Sequence, residues 1–210
     1  ARKARRCGDN FELRSFQRPG VYVGFVALAI AVGGGANGLR AAYVLDSYGT
    51  PSGSMTPTLR EGDHFFVTRL YERARLPARG EVVVFAYPDD PRETFVKRVI
   101  GLPGDEVVET AAGLVVNGTP WPRRPCGAEE PAPGCFREQV PGGGEFSIRV
   151  GALAPGPERR AVTVPPGHVW VRGDHRSASH DSAQFGPIPI DSIGGRARMV
   201  YWPLAHVGPL

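Results

Sequence analysis

"ETFVKRVIGLPGDEV", residues 93–107, decides how the chain folds. Its β-branched and aromatic residues carry no helical spacing, and Pro103 and Gly104 interrupt them, so the stretch reads as two strands joined by a tight turn. In the first strand, alternation puts Lys97 on the face of Phe95 and Val99, and Arg98 on the opposite face. An ammonium held against apolar surface loses hydration, which lowers a lysine pKa. A lysine amine that is neutral at working pH is a general base. The same side chain can instead lay its stem on apolar surface and carry its tip to water. The stretch by itself leaves both readings open.

Working outward, the same pattern recurs. "GEVVVFAYP", residues 80–88, reads as a buried strand, "HVWV", residues 168–171, as another, and "RARMVYWP", residues 196–203, as a closing strand. Asn117-Gly118 after "LVV" is a two-residue hairpin signal. With 28 glycines and 21 prolines in 210 residues, the composition favours many short strands and turns over a helical bundle. The length suits one folded core with an appendage, and no repeat period is visible.

Two other segments hold reactive side chains. "PSGSMTPTL", residues 51–59, sets Ser52, Gly53 and Ser54 between Pro51 and Pro57. A serine hydroxyl is a weak nucleophile until a base takes its proton, and the tripeptide also reads as a plain turn. "VRGDHRSASHDSAQFGPI", residues 171–188, packs small, hydroxyl and acidic residues between a strand and a closing Phe-Gly-Pro. Such a loop orients side chains by hydrogen bonding or is an ordinary solvated turn.

The N-terminal region has a different character. Arg2, Lys3, Arg5, Arg6, Arg14 and Arg18 precede "PGVYVGFVALAIAVGGGANGL", residues 19–39, which carries no charge. A run of about 20 residues crosses a bilayer core as a helix. A buried core helix would show a polar face, and a cleaved signal peptide would need a shorter apolar run with a small-residue cleavage site. The basic flank favours a retained anchor, with residues 1–18 as a cytoplasmic tail, 19–45 as transmembrane anchor and junction, and 46–210 as an extracytoplasmic domain. Much of the excess behind the net charge of +4 sits in that tail. The remainder mixes signs with no aromatic interleaving, so no nucleic-acid partner is expected. Cys126 and Cys135 fall in a Pro/Gly-rich segment on the oxidising side and are a disulfide candidate, whereas Cys7 would be cytoplasmic and free. No metal or cofactor is expected, since two isolated cysteines and five histidines form no ligand set at short paired spacings.

Taken together, "PSGSMTPTLREGD", "FVKRVIGLPGD" and "GDHRSASHDSAQFG" resemble the nucleophile box, the lysine box and the last box of the type I signal peptidases. These are membrane-bound serine proteases that remove signal peptides from exported proteins. The boxes stand in the family's order after an N-terminal anchor, and the resemblance runs from about Pro51 to Tyr201 with a freer insert near 120–162. It implies a mainly β fold: an antiparallel, partly barrel-like catalytic domain preceded by one transmembrane helix. It also implies a Ser-Lys dyad, with Ser54 the nucleophile, Lys97 the general base, and the Ser52 hydroxyl joining the Ser54 N–H in an oxyanion hole. Ser179 falls at the serine that hydrogen-bonds the lysine, Asp181 at the supporting acid, and Asp174 and Arg176 match as well. In the insert, some members carry a disulfide. The implied partners are preprotein signal peptides ending in small residues and membrane lipid, with the catalytic domain on the outer face of a bacterial cytoplasmic membrane.

There are departures. His175 stands where the family usually has Asn, and Ala183 where it often has an Arg, so a salt bridge to Asp181 is expected to be missing. His175 and His180 open a Ser-His alternative. Three other functions compete. A self-cleaving repressor-type Ser-Lys peptidase would carry a DNA-binding leader, and none is visible. A dedicated maturation peptidase of a secretion or pilus system would share the chemistry. A non-catalytic membrane-tethered β-domain that binds export partners would not need both Ser54 and Lys97.

Overall fold

The stretch at 93–107 folds as two strands, with its turn at Gly104, whose φ of +87° is open to a residue without Cβ. The computed structural model describes residues 45–68, 76–110, 112–127, 133–151 and 161–210. The basic tail, the candidate anchor and Cys7 lie outside the described residues. Among the described residues no helix is long and apolar enough to cross a membrane.

The chain order is β1 (Leu45–Gly49), β2 (His64–Thr68), β3 (Val82–Ala86) and β4 (Thr94–Gly101), then β5 (Glu106–Thr110), β6 (Gly113–Val116) and β7 (Thr119–Pro120). After these come β8 (Arg123–Pro125), β9 (Cys135–Gln139), β10 (Glu145–Arg149), β11 (Val162–Thr163), β12 (His168–Arg172), β13 (Ile188–Pro189), β14 (Ile193–Trp202) and β15 (Gly208–Pro209). One four-residue helix, α1 (Ser182–Phe185), interrupts the strands.

The fold is mainly antiparallel β. The main sheet is ordered β1-β2-β14-β3-β4-β12-β13, with β15 added to β14. Its hydrogen-bonded path is open at β1 and β13, so the described residues form no closed barrel. A four-stranded sheet β11-β5-β6-β7 and a three-stranded sheet β10-β9-β8 complete the architecture. The hairpin signal at Asn117-Gly118 joins β6 to β7, with Val116 opposite Thr119 and φ of 52° and 72° at the two loop residues. Those positive values belong to a type I′ turn.

Period-2 alternation distributes the core. From β3, Val82 and Val84 enter one apolar cluster with Met55, Leu59, Phe65, Val67, Ala197 and Val200. Val83 and Phe85 enter another with Val99, Val169, Val171, Ile188 and Ile193. A third cluster joins Trp121 and Val140 to Ile100, Leu114 and Trp170 and so seats the segment near 120–162 against the rest. Cys126 and Cys135 form a disulfide beside the β8–β9 pairing.

Candidate active site

Ser52 is extended (φ −142°, ψ 154°) and leads into a single 3-10 turn, Gly53–Met55, closed by the Thr56 N–H donating to the Gly53 carbonyl at 3.1 Å. Met55 and Leu59 are fully buried and pin this segment to the face of the main sheet. Burial of each such side chain is worth about 1.5–3 kcal/mol. That anchoring positions the site. β2 and β4 are three steps apart in the sheet order, about 14 Å in a flat sheet, yet Lys97 Nζ donates to Ser54 Oγ at 2.8 Å. The Ser54 segment covers the gap by lying across the sheet face toward β4.

Lys97 is 4% exposed, so its tip does not reach water by snorkelling. Its ammonium donates also to the Val96 carbonyl at 3.0 Å, and the Phe95 ring centroid lies 5.4 Å away. Burial pushes its pKa down to about 8, against the upward pull of the Asp181 and then the Asp174 carboxylates. About half of the side chain is therefore neutral amine at pH 8. The Ser52 hydroxyl donates to Ser54 Oγ at 3.2 Å.

The loop after β12 supplies the surroundings. Arg98 and Arg172 are cross-strand partners on β4 and β12, a like-charge pairing that costs stability unless each cation is neutralised. Asp174 accepts from Arg98 Nε at 2.8 Å and Nη2 at 2.6 Å, both side chains being buried. Asp181 lies 2.9 Å from Arg172 Nε and caps α1 by accepting from the Ala183 N–H. The other face of Arg172 meets Glu109. The salt bridge expected to be missing at Ala183 is thus present, with the cation supplied from β12. Sequence reasoning missed Arg172 because nothing local marks a strand arginine as the partner of an acid nine positions on.

Gly173 was also missed. Its N–H donates to Asp181 Oδ2 at 2.9 Å, and a Cβ there would lie 2.5 Å from the Ser54 carbonyl oxygen and collide with Ser179. A glycine directly after a buried strand, opening a polar loop, was the available signal. Ser179 is brought to the site, but its Oγ is buried without a hydrogen-bond partner among the described residues, so the bond expected to Lys97 is not formed. Arg176 Nε donates to the Gly173 carbonyl at 3.2 Å. The His175 N–H donates to the Ser54 carbonyl at 3.1 Å, while its ring Nδ1 faces the Gly53 carbonyl at 3.3 Å. The His180 ring meets the Tyr87 hydroxyl at 3.0 Å. Neither imidazole is hydrogen-bonded to Ser54 Oγ, so the geometry favours lysine over histidine as the base. Among the described residues no three His, Cys, Asp or Glu side chains converge as a metal site.

A buried amine within hydrogen-bond reach of a serine hydroxyl is the arrangement that nucleophilic acyl transfer requires. Comparison with known proteins places the chain in a family. The model of the family described as signal peptidase, peptidase S26, matches residues 21–202. A probable signal peptidase I-2 of Synechocystis sp. is 33% identical over 180 residues, covering 83% of this chain and 71% of the relative. A signal peptidase I of Pseudomonas fluorescens is 33% identical over 201 residues, covering 79% of this chain and 69% of the relative. A crystal structure of a signal peptidase I from Enterococcus faecalis aligns with a TM-score of 0.38 at 26% identity, over 58% of this chain and 97% of that one.

Proposed function

Because the chain belongs to the signal peptidase family, peptidase S26, we propose that Ser54 is the nucleophile and Lys97 the general base with which it removes signal peptides from exported proteins. It is a hydrolase of the signal peptidase I type, similar over most of its length to proteins of that name. The observation that carries the residue assignment is the 2.8 Å contact between Ser54 Oγ and the buried, pKa-lowered Lys97 amine.

The chemistry follows from these groups. Neutral Lys97 accepts the Ser54 proton as Oγ attacks the scissile carbonyl carbon, and the resulting ammonium then protonates the leaving amine. Water, deprotonated by the same amine, releases the acyl-enzyme. The Ser52 hydroxyl, which already points at Ser54 Oγ, and the Ser54 N–H stabilise the oxyanion. Asp174 and Asp181 hold the loop against the nucleophile turn, and Arg176 fixes its carbonyl at Gly173. The preferred substrate end carries small residues at the first and third positions before the cut.

The uncharged run at residues 19–39 behind a basic flank supports residues 19–45 as a transmembrane anchor, with 1–18 cytoplasmic and 46–210 on the outer face of a bacterial cytoplasmic membrane. Membrane lipid is then a partner.

Cleavage of a detergent-solubilised model preprotein by wild type, Ser54→Ala and Lys97→Ala, with product ends read by mass spectrometry, tests the assignment. Loss of activity in both variants with a cut after a small residue is expected. Wild-type rates in either variant would remove that residue from the dyad. A folded but inert wild type would point to a narrow maturation peptidase or a tethered binding domain.

A further inference from the structure

We infer that Glu138, a carboxylate of β9 with no exposed surface, is a positioning residue for the reaction: through Arg176 it holds the Gly173 carbonyl, and with it the Ser54 turn, in place. The inference rests on Ser54 being the nucleophile.

Glu138 stands on the sheet β10-β9-β8, outside all three motif boxes. A fully buried carboxylate is costly unless it is paired, and Glu138 is paired twice. Arg123 Nε of β8 donates to its Oε1 at 2.6 Å. Arg176 donates through Nη1 to the same oxygen at 3.1 Å and through Nη2 to Oε2. Burial raises its pKa, but the two guanidinium groups outweigh it and hold the carboxyl below its usual range. One of its two cations therefore belongs to its own sheet, and the other to the catalytic loop.

The second cation carries the position onward. Arg176 Nε donates to the carbonyl of Gly173, the residue packed against both Ser179 and the Ser54 carbonyl. The Arg176 N–H donates to the Arg149 carbonyl at 2.8 Å, and the Arg149 N–H to the Asp174 carbonyl at 2.8 Å, so the end of β10 grips the same loop by its backbone. The His175 N–H between them holds the Ser54 carbonyl. Without the Glu138 charge, Arg176 and Arg123 face each other across a neutral group, and the repulsion pushes the loop residue outward because Arg123 is anchored in β8.

The test is steady-state kinetics of the full chain on a preprotein, with thermal unfolding of each variant. Glu138→Gln and Arg176→Gln are each expected to lower kcat by about tenfold to a hundredfold, the cost of displacing reacting groups by a fraction of an ångström to an ångström. KM is expected to stay within about twofold. The double variant is expected to be no slower than the worse single one, as for residues acting through one contact. Arg123→Gln, which weakens the same carboxylate without touching the loop, is expected to lower the unfolding midpoint but keep kcat within about twofold of wild type.

Wild-type kcat in folded Glu138→Gln, or kcat losses in Glu138→Gln and Arg123→Gln that track their loss of stability alike, overturns the inference. If Glu138→Gln does not fold, equal kcat values for Arg176→Gln and Arg123→Gln overturn it. Either result, in an enzyme that Ser54→Ala inactivates, leaves the nucleophile assignment standing. Activity in Ser54→Ala removes both.

Discussion

Arg172 Nε lies 2.9 Å from Asp181 Oδ1, so the carboxylate that pulls most strongly on the Lys97 ammonium is itself held by a buried cation. Two opposed effects thus meet at Lys97, the proposed base. Burial drives the amine toward neutrality, and two carboxylates favour its charged form, each of them answered by an arginine.

Removing one arginine shifts that balance in a known direction. Arg172→Met leaves the Asp181 charge unanswered, which favours the Lys97 ammonium and raises its pKa above about 8. In wild type, kcat/KM rises with pH and levels off as pH passes about 8. In Arg172→Met the rising limb moves to higher pH, and the rate at pH 7 falls while the alkaline plateau is largely kept. Profiles of kcat/KM between about pH 6 and 10 measure this, and an unmoved limb would show that the Asp181 charge does not reach the base.

Lys97 also makes stability depend on pH. Its folded pKa is depressed from 10.5 to about 8, so the unfolded chain binds more protons between those values and stability rises with pH across that window. The burden is fully present below about pH 8 and is gone above 10.5. Lys97→Met, inert as an enzyme, is therefore expected to be more stable than wild type at pH 7 by up to about 3 kcal/mol. The advantage shrinks steadily toward pH 10.5, as denaturant unfolding at a series of pH values would register.

Ser179 presents a buried hydroxyl with no hydrogen-bond partner among the described residues. Burying an unsatisfied polar group costs about 1–3 kcal/mol. Ser179→Ala is accordingly expected to unfold at an equal or higher temperature than wild type, and to cleave more slowly with KM little changed if the hydroxyl acts only on the reacting state. A variant of unaltered rate would take Ser179 out of the site, and a clear loss of stability would mean that the hydroxyl is bonded in the resting protein.

The parts legible in sequence were those written locally. The strands at 80–88 and 93–107, the Asn117-Gly118 turn and the closing strand near 196–203 all follow from alternation and turn chemistry, and β14 starts three residues earlier than the aromatic-rich end announced. Ser54 and Lys97 were readable because each sits in a short motif, although their meeting depends on how Met55 and Leu59 pack. What stayed hidden was electrostatic and long-range. Arg98 reaches Asp174 and Arg176 reaches Glu138 across 76 and 38 positions of chain. A buried charge looks like a surface charge in a list of residues, and only the folded neighbourhood tells them apart.

The place of β14 has a consequence for when the protein becomes a protease. This strand lies between β2 and β3, with Arg196 opposite both Thr68 and Val83, so β2, which follows the Ser54 turn, and β3, which pairs with the Lys97 strand, share no strand pairing until it is inserted. Before β14 pairs on both flanks, β2 and β3 present bare edges to each other, and pairing between segments so distant in sequence forms late in folding. On the proposed Ser54–Lys97 assignment, proteolytic competence therefore waits for the middle of the main sheet to close.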